Sequence, residues 1–83
     1  EIYLRAGKIR YKREEYSRAV VNFTVALETL PDNAEAYRGI GMGQRKLGEI
    51  DAAIEAFRNY LRLAPDAPDR AEIEAWIARR GEE

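Results

Sequence analysis

The chain of 83 residues contains no cysteine and no histidine. Without cysteine there are no disulfides and no thiolate zinc sites, and without histidine there is no imidazole to act as acid, base or metal ligand. Neither absence sets the compartment, so the cytoplasm is only the default. Long apolar runs are also missing, and none approaches the roughly 18–20 residues of a membrane-spanning helix. Charge of one sign is missing too, since 14 basic residues face 15 acidic ones. A chain so balanced has no global field to recruit nucleic acid or an anionic membrane, and neither is expected as a partner. The sequence opens on Glu1 rather than Met, inside or beside a helix, as expected of a piece of a longer protein.

What the chain does contain is a repeat. Ala19 and Ala53, Phe23 and Phe57, and Pro31 and Pro65 are each 34 positions apart, and Tyr3 with Tyr37 and Gly7 with Gly41 carry that interval to the start. A period of roughly 20–50 residues predicts a solenoid, in which each unit buries its apolar face against a neighbour. Hydrophobic residues make up 46% and charged residues 35%, a balance that suits amphipathic helices better than a disordered tail. A chain of this size buries only about 60–65% of its unfolded surface, so the core is thin, and one domain is expected over residues 1–83.

Ile2, Ala6 and Ile9 fall at i, i+4 and i+7 and trace one apolar stripe of a first helix, with Arg5, Lys8 and Lys12 on another. This helix is expected to end near Arg13 or Glu14. A second helix runs from about Tyr16 to Leu30 on Ala19, Val20, Phe23, Ala26, Leu27 and Leu30, and Pro31 stops it. Asp32 precedes Glu35 by three positions, the spacing of an N-cap carboxylate with a return contact, and opens a third helix to about Leu47. Tyr37, Ile40, Gly41 and Leu47 form its inward side. Gly39, Gly41 and Gly43 lie within it, each costing about 0.8–1 kcal/mol relative to Ala. Close helix approach offsets that cost at Gly41, whereas Gly39 and Gly43 have no evident offset in the sequence. Gly48 stands where a helix commonly ends in a left-handed residue.

Ile50, Ala53, Ile54, Phe57, Tyr60 and Leu61 make the next stripe, which Pro65 ends. Asp69 and Glu72 then reproduce the Asp32 and Glu35 capping pair at an offset of 37, so the loop through Asp66, Ala67 and Pro68 is longer than its predecessor. Ile73, Trp76 and Ile77 give the inward face of a terminal helix over about 69–80, placed to cover the open end of the stack. The position of Trp76 between the two isoleucines favours a core role over an interface role.

No enzymatic constellation is present, and no metal or cofactor is expected. Glu14-Glu15 and the Asp66 and Asp69 pair are acids on turns, with no companion base or ligand cluster. Gly39-Ile40-Gly41-Met42-Gly43 lies within a helix, follows no strand and lacks the Lys-Ser/Thr ending of a phosphate loop.

The aromatic, small, Ala, Phe and Pro positions within a 34-residue period resemble the tetratricopeptide repeat. The second copy carries Tyr37, Ile40, Gly41, Leu47, Gly48, Ala53, Phe57 and Pro65, and the first carries Tyr3, Gly7, Tyr16, Ala19, Phe23, Ala26 and Pro31. Gln44 and Arg10 stand where the family usually has an aromatic residue, Tyr60 where it has Ala, Ala6 where it has Leu, and Glu14 where it has Gly. The resemblance implies an all-α, α-α superhelix of helix-turn-helix units, with repeats over about 1–33 and 34–67 and a C-terminal capping helix. It also implies a protein-interaction module rather than an enzyme.

Members of that family usually bind an extended peptide or a partner helix on the concave surface lined by the first helix of each repeat. Carried onto this chain, that surface takes Leu4, Arg5, Lys8, Tyr11 and Lys12, then Glu35, Arg38, Met42, Arg45 and Lys46. The excess of basic residues points either to an acidic partner segment, with Tyr11 and Met42 supplying apolar contact, or to charges that simply solvate an exposed face. Leu4, Lys8 and Gly39 replace the Lys and Asn set with which some members hold a terminal carboxylate, which argues against that specialised role. The alternative is a structural module that assembles with itself through the ends of the stack, since repeats usually need about three units for independent stability.

Overall fold

A computed structural model describes residues 1–81, so the last two positions of the domain expected over 1–83 lie outside the described residues. Five helices follow in order: α1 (Ile2–Lys12), α2 (Tyr16–Thr29), α3 (Ala34–Lys46), α4 (Ile50–Leu63) and α5 (Arg70–Gly81). There is no strand among the described residues. The fold is the all-α helical repeat that the 34-residue period predicts.

The turns explain where the helices stop. At the end of α1, Glu14 N–H donates to Tyr11 C=O and Glu15 N–H to Arg10 C=O, which folds the last carbonyls back onto the chain. The same two bonds recur at the end of α3, from Gly48 to Arg45 and from Glu49 to Gln44. Both motifs need a left-handed residue, and Glu14 (φ 62°) and Gly48 (φ 81°) supply it. Glu14 thus adopts the strained conformation that glycine adopts freely one period later. At the start of α3 the cap differs from the expected one. Asn33, not Asp32, accepts the Ala36 N–H at 2.8 Å, because the residue next to the helix places its side-chain oxygen over the first free donors.

Packing is built on two phenylalanines. Phe23 is 3% exposed and Phe57 is fully buried. A Cβ on Gly7 would lie 2.7 Å from the Phe23 ring, and one on Gly39 would lie 2.5 Å from it. The ring therefore fits between α1 and α3 because both helices present bare backbone there. Gly41 receives Phe57 in the same way, at 2.7 Å. The remaining interior glycine, Gly43, faces Val20 at 2.6 Å. Gly39 and Gly43, unexplained in the sequence, are both used for the approach of α3 to α2.

Two apolar groups behave differently from their stripe pattern. Leu47, expected inside, is 42% exposed because it lies beyond the last turn of α3. Ile2 and Ile9 of the α1 stripe are 79% and 45% exposed, since no helix among the described residues lies across them. At the other end Ile73 and Trp76 are buried with Ala53, Phe57 and Tyr60, and Trp76 meets Phe57 edge to face with centroids 5.7 Å apart. The 37-residue offset puts Trp76 where α3 has Gly39 (76 − 37 = 39), so α5 is joined to α4 through ring edges rather than close backbone approach.

Candidate functional site

α1 and α3 lie side by side and form one wall of the stack. Between them is a depression of about 360 Å³. Lys8, Tyr11 and Lys12 contribute to it from α1, and Glu35, Arg38, Gly39 and Met42 from α3. These side chains converge because 8, 11 and 12, like 35, 38, 39 and 42, recur at three- and four-residue steps and share a helix face. The Phe23 ring, packed against the bare backbone of Gly39, forms part of the floor.

Five of the eight residues expected to bind a partner therefore line one depression: Lys8, Tyr11, Lys12, Arg38 and Met42. The others lie apart. Arg5 is exposed on α1, and Lys46 is exposed at the C-terminal end of α3. Arg45 lies with its guanidinium carbon 5.6 Å from the Trp76 ring centroid, and its Nη2 is 3.9 Å from Met42 Sδ. Phe23 and Gly39 were not expected there. The signal for them was an interior glycine without an offset, which marks a site where something large comes close.

The charges of the depression are largely paired. Lys8 bridges to Glu35 across the two helices, with both side chains about half exposed. Arg38 Nε donates to Asp69 Oδ2 at 2.7 Å, and Tyr60 Oη–H donates to Asp69 Oδ1 at the same distance. Asp69 thus serves as an acceptor between α3, α4 and the start of α5. Lys12 has no ion-pair partner among the described residues.

Protonation follows from this geometry. Burial alone would raise the Asp69 carboxyl, but the hydrogen bonds from Arg38 and Tyr60 outweigh it and hold the group below its ordinary value. The hydrogen bond to Asp69 raises Arg38 further. Tyr60 is also raised, first by burial and then by its bond to the carboxylate. The described residues hold no cluster of three metal-ligating side chains, and none of their helices is long and apolar enough to cross a membrane.

A family model described as the tetratricopeptide repeat matches residues 34–67, which is α3, α4 and the loop that follows. Over 63 residues the chain is 33% identical to the protein CTR9 homolog of Arabidopsis thaliana, a match that covers 76% of this chain. The chain spans only 6% of the length of that relative. Tetratricopeptide repeats are typically non-catalytic and generally mediate protein–protein interaction. Two helix pairs of one period, each built on a phenylalanine seated against a glycine, together with the match over 34–67, make residues 34–67 a tetratricopeptide repeat and the fold a tetratricopeptide-like helical stack.

Proposed function

We propose that the chain is an adaptor that binds a segment of a partner protein, acidic and carrying an apolar anchor, in the depression between α1 and α3. The observation that carries this reading is the make-up of the depression. Tyr11, Met42 and the Phe23 ring offer an apolar floor, and Lys12 stands at its edge without an ion-pair partner among the described residues. A carboxylate reaching Lys12 gains a charge-assisted hydrogen bond, while a leucine or aromatic side chain fills the space over Gly39. Lys8 offers a second cation once a partner carboxylate competes with Glu35. Arg38 contributes to the wall, but its charge is already committed to Asp69.

The reading is tested by fluorescence anisotropy with a labelled Asp/Glu-rich peptide carrying one leucine, and with its Lys-substituted counterpart. The acidic peptide binds more tightly, and Lys12→Glu weakens it by about tenfold, equal to about 1.4 kcal/mol. Equal affinity for both peptides, or no effect of Lys12→Glu, rules the groove out as the binding surface.

A further inference from the structure

The depression between α1 and α3 has a neighbour. A second one, of about 530 Å³, lies where α3, the end of α4 and the start of α5 meet, and Arg38 lines both. Its other walls are Tyr60, Pro68, Asp69, Ala71 and Glu72. Arg38 is therefore a partition between two parts of one surface, and a segment lying over α1 and α3 can continue past it onto α5.

The charged residues lining the two depressions are Lys8, Lys12, Glu35, Arg38, Asp69 and Glu72. Lys8 bridges to Glu35, and Arg38 to Asp69, so these neutralise one another in pairs. Left without an ion-pair partner among the described residues are Lys12 on α1 and Glu72 on α5, opposite in sign and one in each depression. Glu72 has a cation close by in the chain, since Arg70 stands two residues before it. Arg70 instead donates to Glu74 Oε2 at 3.1 Å and to Pro65 C=O at 2.7 Å. Asp69 is committed as well, with one oxygen accepting from Arg38 and the other from Tyr60. Glu72, which is exposed, is thus the acceptor that the second depression offers to a partner. Pro68 and Ala71 give exposed apolar surface in the same depression, on which the methylene stem of a long basic side chain can lie.

We propose that the partner segment carries charges of both signs, with its acidic part on Lys12 and a lysine or arginine further along on Glu72. This rests on the groove reading above and sharpens it, because a uniformly acidic segment sets like charge against Glu72. The molecule is 36 Å in its longest dimension, so about ten residues of extended chain, at roughly 3.3–3.6 Å each, are enough to span both depressions.

The probes are labelled peptides of about twelve residues with an Asp/Glu cluster, one leucine and a far end that is Lys, Gln or Glu, each made in both chain directions and followed by fluorescence anisotropy. In one direction the Lys-ended peptide binds about three- to fivefold more tightly than the Gln-ended one, and the Glu-ended one binds least. Glu72→Gln erases this ranking and Glu72→Lys inverts it. Glu55→Gln, the same change of charge at an exposed position of α4, leaves it intact. Glu72→Lys also serves as the second variant should Glu72→Gln lower the melting temperature. Equal binding whatever the far end carries, or a ranking that survives both Glu72 variants, overturns the proposal; the groove reading then still stands if Lys12→Glu weakens all three peptides. If no peptide binds, or Lys12→Glu affects none of them, both readings fall.

Discussion

Arg38 and Asp69 are 31 residues apart in the chain and 2.7 Å apart in the fold, Nε to Oδ2, and their contact ties the start of α5 to α3. Tyr60 completes it from α4 by donating to the other carboxylate oxygen. Three helices thus meet at one acceptor, at the end of the groove wall. The pair is partly exposed, with the Arg38 side chain 44% accessible, so its contribution is screened and modest.

Asp69→Asn removes the charge and keeps the shape, and we expect a loss of about 1 kcal/mol in thermal or urea unfolding. The carboxyl is depressed in the folded state. Its stabilisation is therefore present above the unfolded value of about 3.9 and disappears as pH falls through the lower folded value. Acid titration followed by Trp76 fluorescence detects this, and the Asn variant flattens the acid limb. Tyr60 sets the opposite limit, because its phenol is raised, and its contribution is lost only as pH climbs through that raised value. An acid limb identical in the Asn variant would show that Asp69 does not hold α5.

The interior glycines rank by what their missing methyl would strike. Ala at any of them gains about 1 kcal/mol in helix propensity, so a net loss reports steric conflict. At Gly41 the neighbour is the Phe57 ring, fully buried and without room to yield. At Gly39 it is the Phe23 ring, 2.5 Å away and nearly as buried. At Gly43 a single Val20 methyl at 2.6 Å intrudes, on a half-buried side chain that can shift. We expect Gly41→Ala and Gly39→Ala to destabilise by about 1–2 kcal/mol after the propensity gain, and Gly43→Ala to be close to neutral. Melting temperatures of the three variants test the ranking.

Glu14 and Gly48 form a matched pair for measuring backbone strain. Glu14 has φ 62° and an exposed side chain, so Glu14→Gly relieves a left-handed conformation without removing a buried contact. The variant should be more stable by about 0.5–1 kcal/mol, the unfolded-state entropy of glycine taking back part of the relief. Gly48→Ala should lose about 1 kcal/mol, with no steric share, since nothing lies within 4 Å of the added carbon. At about 4–8 °C per kcal/mol, both shifts are resolvable in a thermal scan.

The sequence disclosed what is repeated and hid what is not. The 34-residue spacing of Ala19, Phe23 and Pro31 locates four helices and their inward faces, and the resemblance to the tetratricopeptide repeat, carried onto this chain, implies one surface for Lys8, Tyr11, Lys12, Arg38 and Met42. The Arg38 and Asp69 contact escaped because it depends on the lengthened loop at Asp66–Pro68, which has no counterpart in the first repeat. Asp32 reads as the cap from its spacing three before Glu35, but spacing does not show which side chain reaches the first free donors, and in the fold that is Asn33. The exposure of Ile2 and Ile9 was hidden for a different reason. An amphipathic stripe states that a face is apolar, whereas burial in a stack depends on whether a neighbour lies across it.

Phe57→Ala tests the packing at the C-terminal end. The ring is fully buried, seats on the bare backbone of Gly41 on one side and meets the Trp76 edge on the other. Truncation leaves a cavity bordered by both, at a cost of about 3–5 kcal/mol. A domain of this size has on the order of 5 kcal/mol to lose, so the variant should be largely unfolded at ambient temperature by circular dichroism. Trp76, 8% exposed in the fold, should shift its emission to the red and become accessible to quenchers. Trp76→Phe separates loss of the ring contact from loss of the whole core. It keeps an aromatic edge for Phe57, removes the platform facing Arg45, and should cost about 1–2 kcal/mol while the cooperative melt survives. If Phe57→Ala instead melts as sharply and as high as the parent, Phe57 does not join α3 to α5, and the capping role of α5 must rest on the Asp69 contact alone.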